Sequence, residues 1–356
     1  MLTGRLTWQQ SKKSPLLQVC PAEPSVDRVL NNRGGVSQKT ADKIRRIMEE
    51  QNFQPNLAGM ALATQARRKR VGVILYAHDT NFYNEIEKGI IYQSRTFAVY
   101  GLEPIIHRVN YDEDSFIDAL DQLEEVGISG LIISTYDSDL ILARLKQLIK
   151  QDIPVLTVNS DCEKIDRFAF VGCDAAASGR TAAAMIELLR RSEAYVGVLY
   201  GNQAVPVHRI RMEALKQCVT EEHPHIHLVE RMETLDDDIL SYKATLDLLK
   251  RHLEINTIYV AAGGQDGVCQ AIADTGHPED YIVITGTVLG RGSEWLKAGV
   301  INAVLSEHPL QQGMHSLDLM ARKILCAELP FLELNYTETS IILPENVPHQ
   351  YLNQYQ

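Results

Sequence analysis

Several common signatures are missing from this 356-residue chain. The first strand-like run, VGVILYAHDTNF (71–82), contains no GxGxxG, which argues against a dinucleotide-binding turn. No two of the six cysteines (20, 162, 173, 218, 269 and 326) form a CxxC pair, so no zinc site is expected and they read as reduced, mostly buried thiols. The eleven histidines include no HExxH, and no GxSxG nucleophile elbow occurs. The densest histidine cluster, HPHIH (223–227), reads as a polar loop ahead of a strand. No apolar run reaches the roughly 20 residues that a membrane span needs. The opening MLTGRLTWQQSKKSPLLQVC has no long apolar core after its charges, unlike a signal peptide. These absences point to a cytoplasmic protein with no membrane partner, no metal or other cofactor, and no enzyme chemistry.

The charge is unevenly spread. Residues 1–70 hold 13 Lys+Arg against 5 Asp+Glu, and the remaining 286 hold 22 against 41. An acidic body repels phosphate while a basic head attracts it, so any nucleic-acid contact belongs to the head. From residue 71 the pattern is regular. Strand-length apolar runs begin with VGVIL (71–75), EPIIH (103–107), GLIIS (130–134), IPVLTV (153–158) and FAFVG (168–172). YVGVLY (195–200), IHLVE (226–230), TIYVA (257–261), YIVIT (281–285) and INAVL (301–305) continue the series, with helical stretches between them. Such alternation predicts parallel sheets with right-handed crossovers. About ten strands predict an α/β fold of two doubly wound lobes rather than one sheet. Asp174 is expected to cap the helix that follows it.

In the head, SVDRVLNNRGGVSQKTADKIRR (25–46) carries two short helical patterns. Val26, Val29 and Leu30 share one face, Gly34-Gly35 breaks the helix, and Ser37 is placed to cap a second one. Two such helices bury too little to fold alone, so a third should precede residue 25. Four blocks in order, VDRVLNN (26–32), VSQKT (36–40), QNFQPN (51–56) and NLAGMALAT (56–64), followed by VGVIL, resemble the LacI/GalR family of transcriptional regulators.

That resemblance implies a small all-α DNA-binding headpiece ahead of a two-lobed sensor domain like the periplasmic sugar-binding proteins. The boundaries it suggests are an atypical segment at 1–24, a partial helix-turn-helix and hinge at 25–64, and a linker at 65–70. The ligand-binding domain would cover 71–345 and a tail 346–356. It places Arg28 on the recognition helix against a base edge. Ser25, Asn31, Ser37, Thr40 and Asn56 join the DNA-binding set as polar contacts, and Leu62 as a minor-groove wedge. Residues 1–24 depart from the family: Pro15, Pro21 and Pro24 interrupt any helix where the first headpiece helix should lie. An altered reading frame upstream of about residue 25 and a genuinely weak DNA binder are both open readings.

In the sensor domain, the loops after the carboxyl ends of the strands are the expected ligand site. The resemblance, with that rule, selects Asn81, Phe82, Asn159, Asp161, Arg209, Gln265, Asp266, Glu307 and His308. Where many family members have an aspartate after YIVITG, this chain has Thr287-Val288. The expected function is a ligand-responsive repressor, a homodimer on near-palindromic double-stranded operator DNA, sensing a sugar, polyol or related polar molecule. A cytoplasmic sugar-binding sensor without DNA-binding activity is the alternative.

Overall fold

The computed structural model describes residues 37–40, 42, 43, 46, 68–78, 80–326 and 331–348. In the head, Ser37 accepts from the Thr40 N–H at the start of a helical stretch, as its sequence position predicts. The first strand begins at Lys69, so the last two residues of the expected linker already belong to a sheet.

Lobe 1 runs β1 (Lys69–Tyr76), α1 (Thr80–Phe97), β2 (Leu102–Val109), α2 (Glu113–Val126), β3 (Gly130–Ile133), α3 (Asp139–Lys150), β4 (Val155–Val158) and β5 (Ala169–Gly172). Lobe 2 opens with α4 (Ala175–Leu189), β6 (Ala194–Tyr200), α5 (Pro206–Glu222), β7 (Ile226–Glu233) and α6 (Asp238–Arg251). It continues with β8 (Thr257–Val260), α7 (Gln265–Asp274), β9 (Ile282–Thr285), α8 (Gly292–Lys297) and β10 (Ala303–Ser306). The chain then returns to lobe 1 as α9 (Pro309–Leu325) and β11 (Leu334–Tyr336), and ends in lobe 2 with β12 (Ser340–Ile342). It thus crosses between lobes at 172–175, 306–309 and 336–340.

The two sheets have matching orders, β2-β1-β3-β4-β5-β11 and β7-β6-β8-β9-β10-β12. All pairings are parallel except that of β12 with β10. Helices cover both faces of each sheet, so strand residues are buried on both sides. This explains why β1, β3, β4 and β8 read as unbroken apolar runs rather than alternating ones. Asp112, Ser138, Asp174 and Asp237 cap α2, α3, α4 and α6 by accepting backbone N–H bonds, and Asp174 does so at 2.8 Å from Ala177. Glycine decides one packing: a Cβ on Gly89 of α1 or on Gly313 of α9 would overlap the other helix's backbone, so these two helices touch main chain to main chain.

One apolar core fills lobe 1, and it also receives Val205 and Val207 from the start of α5. Lobe 2 has a core on each face of its sheet. Val347 packs into one of them, so the body extends past the expected boundary at 345. In each sheet the strand order reverses beside the first strand, which leaves a crevice at the carboxyl ends. The two crevices face each other.

Candidate functional site

The cleft between the lobes is narrow, with a cavity of about 30 Å³ that opens to solvent. Lobe 1 contributes Phe82 and Tyr83 from the first turn of α1, and Asn159 just after β4. Lobe 2 contributes Val207, His208 and Arg211 from α5, Asp236 after β7, Ala262 after β8, and Gly286 and Thr287 after β9. Glu307 comes from the crossing between β10 and α9. A second crevice of about 30 Å³ adjoins it, sharing Asp236 and Thr287 and adding Asn81, Asp238 and Gln265.

Backbone conformation aims several of these groups. Asn159 and Asp236 have φ of 61° and 59°, in the left-handed region that Asn and Asp tolerate better than most residues. His308, at the crossing, has φ of 55°. The Tyr83 hydroxyl donates to Asn159 Oδ1 at 3.0 Å, which fixes the amide against the cleft wall. Phe82 and Tyr83 meet edge to face with centroids 5.6 Å apart.

The electrostatics are set by one buried ion pair and one further carboxylate. Arg211 and Glu307 are each about 5% exposed and bond directly to each other. Arg211 also donates to Ala261 O, and its Nη2 reaches Cys173 Sγ at 3.6 Å. Its buried Nε has no hydrogen-bond partner among the described residues. Glu307 Oε1 accepts from Ser178 Oγ at 3.3 Å as well. The pair cancels internally. Asp236 remains, accepting from the Gly263 N–H at 2.8 Å and from the Tyr111 hydroxyl. Burial lowers the pKa of His208, which keeps its ring neutral, and its Nδ1 faces both the Asn202 N–H at 3.0 Å and the Asn202 carbonyl oxygen at 3.2 Å. The cleft therefore carries one net negative charge.

Contacts across the cleft hold the lobes together. Tyr111 of lobe 1, stacked on His78 with centroids 4.4 Å apart, donates to Asp236 of lobe 2. The Asp137 N–H donates to Ala204 O at 2.9 Å. Asn81 abuts Gly290, where a Cβ would lie 2.6 Å from Asn81 Nδ2.

Of the residues expected from sequence, Phe82, Asn159 and Glu307 line the main cleft, and Asn81 and Gln265 line the adjoining crevice. Four others do not line either space. Asp161 is held by Arg167, with Nη2 to Oδ2 at 2.5 Å, and by the Thr157 hydroxyl at 2.6 Å, so both its oxygens are committed to a structural ion pair. Arg209 lies on the rim of the interface, 3.7 Å from Asp137 of lobe 1, because it is out of phase with the inward face of α5. Asp266 accepts from the Trp295 indole and from the Arg291 N–H, both at 3.2 Å, and so anchors α8. His308 Nε2 bonds Ser340 Oγ at 2.7 Å and ties two of the crossings together. Ser25, Arg28, Asn31, Asn56 and Leu62 lie outside the described residues, while Ser37 and Thr40 bond to each other at 2.8 Å.

Tyr111, His208, Arg211 and Asp236 were absent from that set. A helical signal for Arg211 was available: Val207, His208, Arg211 and Leu215 follow at i, i+1, i+4 and i+8, one stripe that excludes Arg209. For Asp236 the run LDDD offered three candidates and no phase.

A model for a periplasmic binding protein domain matches residues 71–327, and one for lacI-family bacterial regulatory proteins matches residues 25–56. The chain is 24% identical to the HTH-type transcriptional regulator DegA of Bacillus subtilis over 198 residues, 55% of this chain and 57% of DegA. It is 22% identical to catabolite control protein A of Staphylococcus epidermidis over 267 residues, 73% of this chain and 77% of that protein. The chain thus spans little more than half the length of DegA. Among solved structures it is similar to GanP, a glucose-galactose binding protein from Geobacillus stearothermophilus, with a TM-score of 0.72 and 20% identity over 79% of this chain and 99% of GanP. A solute-binding protein from Burkholderia graminis in complex with D-arabinose gives 0.74 and 19% over 82% and 98%. At such identities these two show the fold alone.

Proposed function

This chain belongs to the periplasmic binding protein domain family and carries a lacI-type segment ahead of that domain; we propose that it is a ligand-responsive DNA-binding transcriptional regulator, a cytoplasmic repressor acting as a homodimer. The observation that carries this reading is a two-lobed cleft lined by both polar and apolar side chains on the same chain as a basic segment matching lacI-family regulatory proteins. The regulators among its relatives and the sugar-binding proteins among its structural neighbours support the two halves of the proposal.

The effector is a neutral, polyhydroxylated small molecule. Phe82 offers a ring face, Asp236 and Asn159 offer acceptors, and Arg211 Nε offers a donor without a protein partner. An anionic ligand would meet Asp236 with Arg211 already neutralised by Glu307, so sugar phosphates and sugar acids are disfavoured. To switch, the effector must bind the closed lobes better than the open ones. β1 starts at Lys69, directly after the head, so the head is tethered to lobe 1 and closure changes how a dimer presents two heads to DNA. Ser25, Arg28, Asn31, Ser37, Thr40, Asn56 and Leu62 are the proposed DNA contacts.

Thermal-shift screening against neutral pentoses, hexoses and polyols, with their phosphates and acids as contrasts, tests the effector class. A ligand at 100-fold its Kd adds about 2.7 kcal/mol to apparent stability. Stabilisation by neutral members is expected; stabilisation only by anionic ones would overturn the reading.

A further inference from the structure

The HPHIH run, which reads from sequence as a polar loop, joins a cluster that the ligand cleft does not use. Cys218 and Glu222 are one turn apart on the last turns of α5, and His223 is that helix's C-cap. A ligating atom of each lies within 4.8 Å of the other two. Two more groups meet them from the side. Glu187 of α4 places Oε2 3.4 Å from His223 Nδ1 and 2.5 Å from His225 Nε2. Both Glu187 Oε2 and His225 Nε2 are buried, and neither makes a hydrogen bond of acceptable geometry despite that distance. At 2.5 Å the two atoms stand closer than two ligands of one ion can, so Glu187 holds His225 as an ion-paired partner beside the cluster. The helices are held closely enough for this by Gly179 of α4, where a Cβ would overlap the Arg211 carbonyl of α5.

We propose that this cluster is a divalent transition-metal site of the Zn²⁺ class, with Cys218, His223 and Glu222 as ligands and an open position for water. The donor types decide the metal. One thiolate and one imidazole beside a carboxylate select a borderline ion, whereas Mg²⁺ and Ca²⁺ require oxygen ligands. Ligands at about 2.0–2.3 Å from one ion stand roughly 3.3–3.8 Å apart in a tetrahedron. The observed spacing therefore needs a contraction of about 1 Å or less at the widest pair, and the exposed Glu222 side chain can supply it. The bound ion would fix the last turn of α5 and its C-cap, and α5 carries His208 and Arg211 at its other end.

The test uses the full chain without a histidine tag, stripped with chelator under reducing conditions, and titrated with Co²⁺ and then Zn²⁺. Expected are one equivalent bound, a thiolate-to-Co²⁺ charge-transfer band, and its loss on adding Zn²⁺. Cys218→Ser should abolish the band, and His223→Ala should weaken Zn²⁺ binding beyond the ~10–100-fold that loss of a mere supporting partner costs. His252→Ala, at a separate His–Glu pair with Glu230, should leave both unchanged. His223 is a loop residue whose removal spares the core, so it keeps the test decisive if Cys218→Ser fails to fold. Absence of a thiolate band in the wild type, or equal Zn²⁺ affinity in wild type and His223→Ala, would overturn the proposal.

Discussion

Tyr111→Phe removes one oxygen atom and isolates the closure of the cleft. In the structure the Tyr111 hydroxyl donates to Asp236 across the lobes. The phenylalanine ring keeps the stack on His78 and the contact with Tyr76, so lobe 1 should fold as before. Asp236 keeps its bond from the Gly263 N–H, but its other oxygen loses its hydroxyl donor in the closed state. A hydrogen bond to a charged group contributes about 1.5–3 kcal/mol net. In the open state water solvates that oxygen in either protein, so the loss falls on closure alone. At about 1.4 kcal/mol per tenfold, the closed population relative to the open one should fall roughly 10–150-fold. If the open form dominates without ligand, effector affinity measured by calorimetry falls by that factor, because only closed molecules bind competently. If the closed form dominates, the mean lobe separation of the free protein increases instead, read by scattering or by fluorophores on the two lobes. Unchanged affinity together with unchanged separation would refute the reasoning.

Further outcomes are expected elsewhere. Glu307→Gln keeps the shape of the side chain but leaves the Arg211 guanidinium buried without a countercharge, so chemical denaturation should show a loss of about 3–5 kcal/mol. His208 has a folded pKa lowered by burial, so between that value and about 6.5 the unfolded chain binds a proton that the folded one does not. Stability should therefore fall as pH drops from about 7.5 towards 5, and His208→Asn, which can still accept the Asn202 N–H, should flatten that slope in pH-dependent melting. Gly313→Ala forces a methyl into the Ile86 carbonyl of α1 and should destabilise lobe 1 by about 1–3 kcal/mol or more, measured by urea unfolding.

The body of the fold was legible because parallel strands buried on both faces leave apolar runs that cannot be mistaken for solvated segments. All ten apolar runs became strands, the half-exposed edge strands β2 and β7 included. β11 and β12 were not legible: each has three residues, and LNY is largely exposed, so edge pairing alone makes them strands. Loop position put Phe82, Asn159 and Glu307 on the cleft lining, whereas helix phase decides which of Arg209 and Arg211 lines it. Asp161 illustrates the limit of loop position. It follows a strand end as Asn159 does, but its fate depends on Arg167 six residues on, which turns its carboxylate into a structural partner. Among Asp236, Asp237 and Asp238, the first faces the cleft, the second caps α6 and the third accepts from the Gly267 N–H. Left-handed backbone at Leu235 and Asp236 sorts them, and nothing in the local sequence announces that turn.

The most direct measurement is fluorescence anisotropy of a duplex selected from random sequence by the full chain, titrated with protein in the presence and absence of the effector found by thermal shift. The account predicts near-palindromic selected sites, affinity that falls steeply with salt, and at least a fivefold change in affinity on adding effector, abolished by Asp236→Asn. An operator affinity indifferent to saturating effector in the wild-type protein would contradict it.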